Sequence, residues 1–205
     1  MGEPKQERAV KTRETILYAA AAVFDEYGYS GASISRIMKR AGVSQGALYF
    51  HFKSKDELAR AVMNAQPQTV VPQLHSHGLQ RVVDTTFLWA WQIQRDVLLR
   101  AGVRLTNEQD GSIGRDATPY SEWARIVAHT LAEAQHDGDV RMNVDPTELA
   151  EFLVGACTGI QMYANAVSGR EDLADRVVAM WRILLPGICT GQLAEQINLD
   201  VHRFA

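Results

Sequence analysis

Cysteine is almost missing from this sequence: Cys157 and Cys189 stand 32 residues apart, and neither belongs to a CxxC pair. Two such residues cannot staple a fold, and their sparseness fits a reducing compartment, so the expected location is the cytoplasm. Long apolar runs are missing as well. No uninterrupted stretch could span a bilayer, and residues 1–13 are polar and charged where a secretory leader would carry an apolar core, so no membrane partner is expected. The chain has no glycine-rich phosphate loop and no serine-centred nucleophile elbow. Its six histidines form no set at metal-ligand spacing: His75 and His77 flank a proline-rich break and lack a further ligand. These gaps leave an enzyme as a remote alternative and predict neither metal nor cofactor.

What the chain does contain is enough apolar surface for a core. Of its 205 residues 46% are hydrophobic and 22% charged, which excludes a disordered chain and suits a small domain joined to a larger one. The net charge of −3 conceals an uneven split. Residues 1–60 carry 10 Lys/Arg against 7 Asp/Glu and the remainder 11 against 17, so a head of +3 precedes a body of −6. That is the distribution expected when only the head meets phosphate.

Strand alternation of useful length is missing, and the expected fold class is all-α. From Thr15, Ile16, Leu17, Ala20, Val23, Phe24 and Tyr27 recur at helical steps, with Gly28 placed as a C-cap. Ser33 caps a short second helix carrying Ile34, Ile37, Met38 and Ala41; Ser44 caps a third, from Gln45 to about Tyr49. Ser54-Lys-Asp-Glu57 is a capping box that opens a fourth. Pro67 and Pro72 should end that helix near Gln66 and leave an irregular segment. One amphipathic stretch is then expected from Leu79 to about Arg100, and a loop over residues 110–117. Later helices start at Thr118-Pro119 and Asp145-Pro146 and run from Asp172 to Ile188, with a bend at Pro186. The tail from Gly191 carries no readable pattern. The expected domains are a three-helix head, residues 1–56, and a helical body, residues 57–205.

The chemistry of the head lies between Ile34 and Phe52. Two short helices joined through Ala41-Gly42-Val43-Ser44 match a helix-turn-helix, whose second helix enters the major groove of double-stranded DNA. Ser44, Gln45, Gly46 and Tyr49 are then the outward residues. Gln can meet adenine through two hydrogen bonds, Ser and Tyr can reach phosphate or base edges, and Gly46 allows close approach. Lys53 and Lys55 lie where phosphate is favoured, near a helix N-terminus, and Lys11 and Arg13 can serve from the first helix. Ser33 and His51, within the same motif, complete the expected DNA-binding set.

Gly42-Val-Ser-Gln-Gly-Ala-Leu-Tyr-Phe-His-Phe-Lys-Ser-Lys-Asp-Glu-Leu58 resembles the signature of TetR-type repressors, and Thr15-Ile-Leu-Tyr-Ala-Ala and Phe24-Asp-Glu-Tyr-Gly-Tyr resemble that family's first helix. The resemblance covers about residues 8–62. It implies a homodimer with N-terminal reading heads, a helical ligand-binding and dimerisation domain, and a two-fold-symmetric operator. Ala47-Leu-Tyr-Phe-His-Phe, Ala101-Gly-Val-Arg-Leu105 with Pro119-Tyr-Ser-Glu-Trp123, and Glu133-Ala-Gln-His-Asp-Gly-Asp139 with Asp145-Pro146 and Gly159-Ile-Gln161 are similar to the γ-butyrolactone autoregulator receptors of actinomycetes. That branch commonly has Lys or Arg where Gln45 stands, which puts the base preference in question.

The resemblance implies that Trp123 lines a pocket for a small lactone-like effector and that Gln66, at a matching position, holds ligand. An apolar pocket with one or two polar anchors suits such a molecule. Leu88, Trp89, Val127, Phe152 and Ala156 are read either as its wall or as ordinary core. Leu149, Leu153 and Ile160 with Val177, Met180, Trp181 and Leu184 are the expected dimer-forming set. A regulator that senses an antibiotic, a biosynthetic intermediate or another amphipathic compound is the alternative reading.

Overall fold

The computed structural model describes residues 5–108 and 116–204, so most of the loop expected over 110–117 lies outside the described residues. Every regular element among them is helical: α1 Lys5–Gly31, α2 Ile34–Ala41, α3 Gln45–His51, α4 Lys55–Asn64, α5 Gln66–Val70, α6 Gly78–Gln92, α7 Val97–Asn107, α8 Thr118–His136, α9 Pro146–Ser168, α10 Leu173–Ile188 and α11 Gly191–Gln196. Short 3-10 turns cover Val71–Gln73 and Val201–Phe204. No described helix is long and apolar enough to cross a membrane. The chain divides into two compact units, residues 1–69 with 95–119 and residues 70–94 with 120–205.

In the first unit α1 starts ten residues before Thr15, because the polar stretch from Lys5 continues the helix while contributing little to the core. Gly28 is a kink within α1 (φ 66°, ψ 179°) rather than its end. Ile16, Ala20, Val23 and Phe24 are buried along one face, and Ile37, Leu48, Phe52, Leu58, Val62 and Met63 close over it. The same core takes Leu98, Ala101 and Leu105 from α7. The stretch expected from Leu79 to Arg100 is therefore two helices. Asp96 starts the second by accepting hydrogen bonds from the Leu98 and Leu99 amides at 2.7 and 3.0 Å.

The proline-rich segment is more regular than its composition suggested. α4 ends at Asn64, and Pro67 occupies the first turn of α5, where its missing N–H costs nothing. Gln66 begins α5, buried, and its Nε2 donates to Thr106 Oγ1 on α7 at 3.1 Å. α7 approaches closely here because Gly102 has no side chain. A Cβ at that position would lie 2.7 Å from Gln66 Cγ and 3.1 Å from the Val62 carbonyl oxygen. Polar ties run along the α1–α7 seam: Arg100 Nε donates to Asp25 at 2.9 Å, Arg104 bonds the Asp25 carbonyl and Glu108, and Glu108 accepts from the Tyr29 amide at 3.4 Å.

In the second unit α6 packs on α10 and α10 on α9. Asp145 caps α9 by accepting from the Thr147 and Glu148 amides at 2.7 and 3.0 Å, as its sequence pattern requires. Trp181 is fully buried, and its Nε1 donates to Thr86 at 2.7 Å. The tail from Gly191 proves to be structured. Val201 is buried, and Arg203 pairs with Asp84, which also accepts from Ser76 at 2.6 Å and Gln80 at 2.7 Å. Both cysteines are buried and free, and burial pushes the Cys157 thiol up to about 12.

Two expectations follow from the first unit. Gly102→Ala gains about 1 kcal/mol of helix propensity but forces Gln66 off Thr106, so net destabilisation of about 1–2 kcal/mol is expected; a thermal midpoint equal to or above that of the parent would contradict it. The second concerns Tyr29, whose hydroxyl donates to Asp56 and whose pKa burial and that carboxylate raise to about 12. Because the folded value lies above the unfolded one, this contribution is present below pH 10 and fades towards pH 12. Urea unfolding of Tyr29→Phe should therefore show a deficit near neutral pH that shrinks across that window.

Candidate nucleic-acid interface

The second and third helices take their places through local chemistry. Ser33 Oγ accepts from the Arg36 amide and Ser44 Oγ from the Ala47 amide, both at 3.3 Å, so each serine starts its helix. Between them Gly42 adopts φ 66° and ψ 31°, a left-handed cap that lets the chain reverse within Ala41–Ser44. α3 extends to His51, two residues past the expected end, because Phe52 follows it into the core. Leu48 and Phe52, one turn apart, are both buried. The helical period then turns Gln45, Gly46 and Tyr49 outward, all three exposed.

Lys11, Arg13 and Lys53 are exposed as expected. The Arg13 guanidinium also covers the Phe52 ring at 4.9 Å, so it braces α3 while remaining open to solvent. Lys55 departs from the expectation. It is half-buried, its Nζ donates to the Tyr29 and Ala32 carbonyls at 2.9 and 3.2 Å, and it sits 4.1 Å from the Tyr29 ring centroid. Two of its three N–H donors are spent holding α4 against the end of α1, which leaves Lys55 poorly placed as a phosphate contact. His51 is half-buried and meets Phe50 edge-on.

Phe50 was not among the sequence-derived residues, yet it is 80% exposed. The signal was available: with Leu48 and Phe52 inward, residue 50 of the same helix must face out. From Tyr27 to Lys55 the chain carries Arg36, Lys39, Arg40, Lys53 and Lys55 and no Asp or Glu; Arg40 pairs with Glu26 at 3.2 Å, and Arg36, Lys39 and Lys53 are exposed.

Leu88 and Trp89 of α6 and Trp123 and Val127 of α8 are buried in the second unit, Trp123 and Val127 on one face with Leu131 and Ala134. Ala156 is half-buried. Phe152 must be corrected: at 54% exposure it lines no interior wall, because Leu149, Leu153, Cys157 and Gln161 form the buried face of α9 and residue 152 falls off it. The dimer-forming set needs the same correction. Leu149, Leu153, Val177, Met180 and Trp181 are spent inside the unit, and Ile160 and Leu184 are half-buried. The outward apolar residues of these helices are Phe152, Met162, Tyr163, Val167 and Ile183.

Comparison with known proteins places this geometry. Residues 16–62 match the family of bacterial regulatory proteins of the tetR type, and residues 76–190 match the tetracyclin repressor-like C-terminal domain. The A-factor receptor protein of Streptomyces griseus is 42% identical over 184 residues, which are 90% of this chain and 66% of that receptor; the chain thus spans just under two thirds of its length. The structure of TylP, a TetR regulator from Streptomyces fradiae, superposes with a TM-score of 0.89 at 38% identity, covering 96% of this chain and 95% of that one. A γ-butyrolactone receptor described as ArpA-like superposes with a TM-score of 0.71 at 30% identity, covering 96% and 98%. With both the head and the helical body matched, the chain belongs to the TetR family of bacterial transcriptional regulators.

Proposed function

We propose that this chain is a cytoplasmic, dimeric transcriptional repressor, released from its operator by a γ-butyrolactone- or butenolide-type signalling molecule that controls secondary metabolism. The observation that carries the effector class is the extent of the likeness to the A-factor receptor: it runs through 90% of the chain, the body included, and not through the head alone. The ArpA-like γ-butyrolactone receptor supports the same class.

In this reading Gln45, Gly46 and Tyr49 of α3 face base edges. Ser33, Ser44 and His51 shape the helix-turn-helix, and Lys11, Arg13 and Lys53 approach phosphates. Trp123, with Val127, Leu88 and Trp89, supplies the apolar surroundings of the effector, its indole offering a flat face. Gln66, bonded to Thr106, acts through the α4–α7 packing. The outer faces of α9 and α10 are the dimer surface. Phe152, Met162, Tyr163, Val167 and Ile183 are large apolar side chains left exposed on these two helices, which supports an apolar interface there. The heads of a dimer must meet successive major grooves about 34 Å apart. Effector binding releases DNA by favouring a state with a different head spacing, and it can do so only through unequal affinity for the two states.

A gel shift on the DNA upstream of the gene, repeated with synthetic γ-butyrolactones, tests the whole reading: a retarded band that disappears with ligand is expected. Trp123→Ala should keep the band but need about tenfold more ligand to lose it; release at the parent concentration would remove Trp123 from the pocket. Ile183→Asp puts a charge on the dimer surface and should sediment as a monomer that no longer retards the operator. A stable Ile183→Asp dimer would place the interface elsewhere.

A further inference from the structure

α3 leaves one large apolar side chain with no place in the fold. Phe50 is 80% exposed, while Leu48 and Phe52 on either side of it are sealed in the core. Isolated exposed apolar residues are common on protein surfaces. The surroundings of this one are not ordinary. One turn earlier on the same face is Gly46, where a Cβ would meet nothing within 4 Å. The phenyl ring therefore does not rest on Gly46, and both positions are open to whatever approaches this face. His51 meets the ring edge-on, with centroids 5.0 Å apart and an interplanar angle of 86°. The result is a flat, laterally braced apolar surface on a helix about 10 Å long, bordered by exposed Gln45, Tyr49 and Lys53.

The charge around it identifies what covers it. The 29 residues from Tyr27 to Lys55 hold five cationic side chains and no carboxylate; Arg40 pairs with Glu26 and Lys55 is tied to the end of α1, which leaves exposed Arg36, Lys39 and Lys53 as a setting suited to a polyanion. A helix of this length fits wholly within a major groove about 12 Å wide. In that groove the base edges present hydrogen-bonding groups with one apolar exception, the 5-methyl group of thymine. A phenyl ring placed over the N4 amino group of cytosine would bury a donor without a partner, at a cost; over a thymine methyl it buries apolar surface against apolar surface.

We infer that Phe50 is a specificity-determining residue that reads a thymine methyl in each half-site. The assignment rests on the DNA-reading role proposed above and adds to it the base feature that is read. It also supplies apolar selectivity on a helix whose remaining outward groups, Gln45 and Tyr49, read by hydrogen bonding.

The test uses the full-length protein and a duplex that it selects from a random-sequence pool, resynthesised with deoxyuridine in place of thymidine at one position at a time. Losing one buried methyl is worth roughly fourfold in affinity. Expected is a symmetry-related position at which uridine weakens the parent about fourfold per half-site. Phe50→Ala should bind the thymidine duplex weaker by that factor and be indifferent to uridine there, with unchanged helix content and thermal midpoint because the side chain is exposed. Equal uridine costs for parent and variant at every position, or undiminished binding by Phe50→Ala, would overturn the assignment while leaving DNA reading intact. Failure of the parent to enrich any duplex would overturn DNA reading itself, and the assignment with it.

Discussion

The burial of Leu48 and Phe52 is the constraint on which the head depends. A seven-residue helix such as α3 has no stability of its own in water, since helices well under a dozen residues do not repay the cost of nucleation. α3 persists because these two side chains, one turn apart, are locked into the core built by Ile16, Ala20, Phe24 and Ile37. The same lock sets its rotation. Once residues 48 and 52 point inward, Gln45, Gly46, Tyr49 and Phe50 have no choice but to face out, and the Arg13 guanidinium over Phe52 reinforces the anchor. Presentation of these outward residues is thus a consequence of packing beneath them.

That core is not made by the N-terminal segment alone. α7, distant in sequence, contributes Leu98, Ala101 and Leu105, and Gly102 lets its backbone come close to Val62 and Gln66. The polar groups drawn into the seam are paired as they must be: Arg100 with Asp25, Arg104 with Glu108, Gln66 with Thr106. In the second unit Thr86 serves Trp181, and the Asp84 carboxylate, largely buried, is satisfied by Ser76, Gln80 and Arg203 together. Removing any one of these partners leaves the others buried without it, which gives the C-terminal tail a structural part that its composition does not advertise.

Much of the head was legible beforehand. Ser33, Ser44 and Ser54 were read as caps and act as caps, because capping is a local hydrogen bond between residues three apart. Most of the buried face of α1 followed from spacing, for the same reason of short range; Tyr27, at the same spacing, is 42% exposed with the Arg36 guanidinium over its ring. The errors arose where an outcome depends on partners far away. Lys55 was read as a phosphate contact, but two carbonyls at the end of α1 claim its ammonium. Phe152 reads either as pocket wall or as core, and the more apolar residues of α9 and α10 as the dimer surface; the intrachain core takes the latter and leaves Phe152 outside. Hydropathy ranks what wishes to be buried, and two competing burial sites on one helix cannot be separated by it.

The sequence by itself determined the helix-turn-helix, its caps and turn and most of the inward and outward faces of α1 to α4, because these rest on periodicity and on contacts within a few residues; the family followed from the likeness of the run over residues 42–58 to a known signature. Tertiary structure alone decided that residues 95–119 join the N-terminal helices and that Asp84 waits for Arg203. It also decided which apolar residues of α9 and α10 stay exposed. The physical reason is common to all three. Burial is assigned by the whole set of surfaces competing for it, and no window along the chain contains that set.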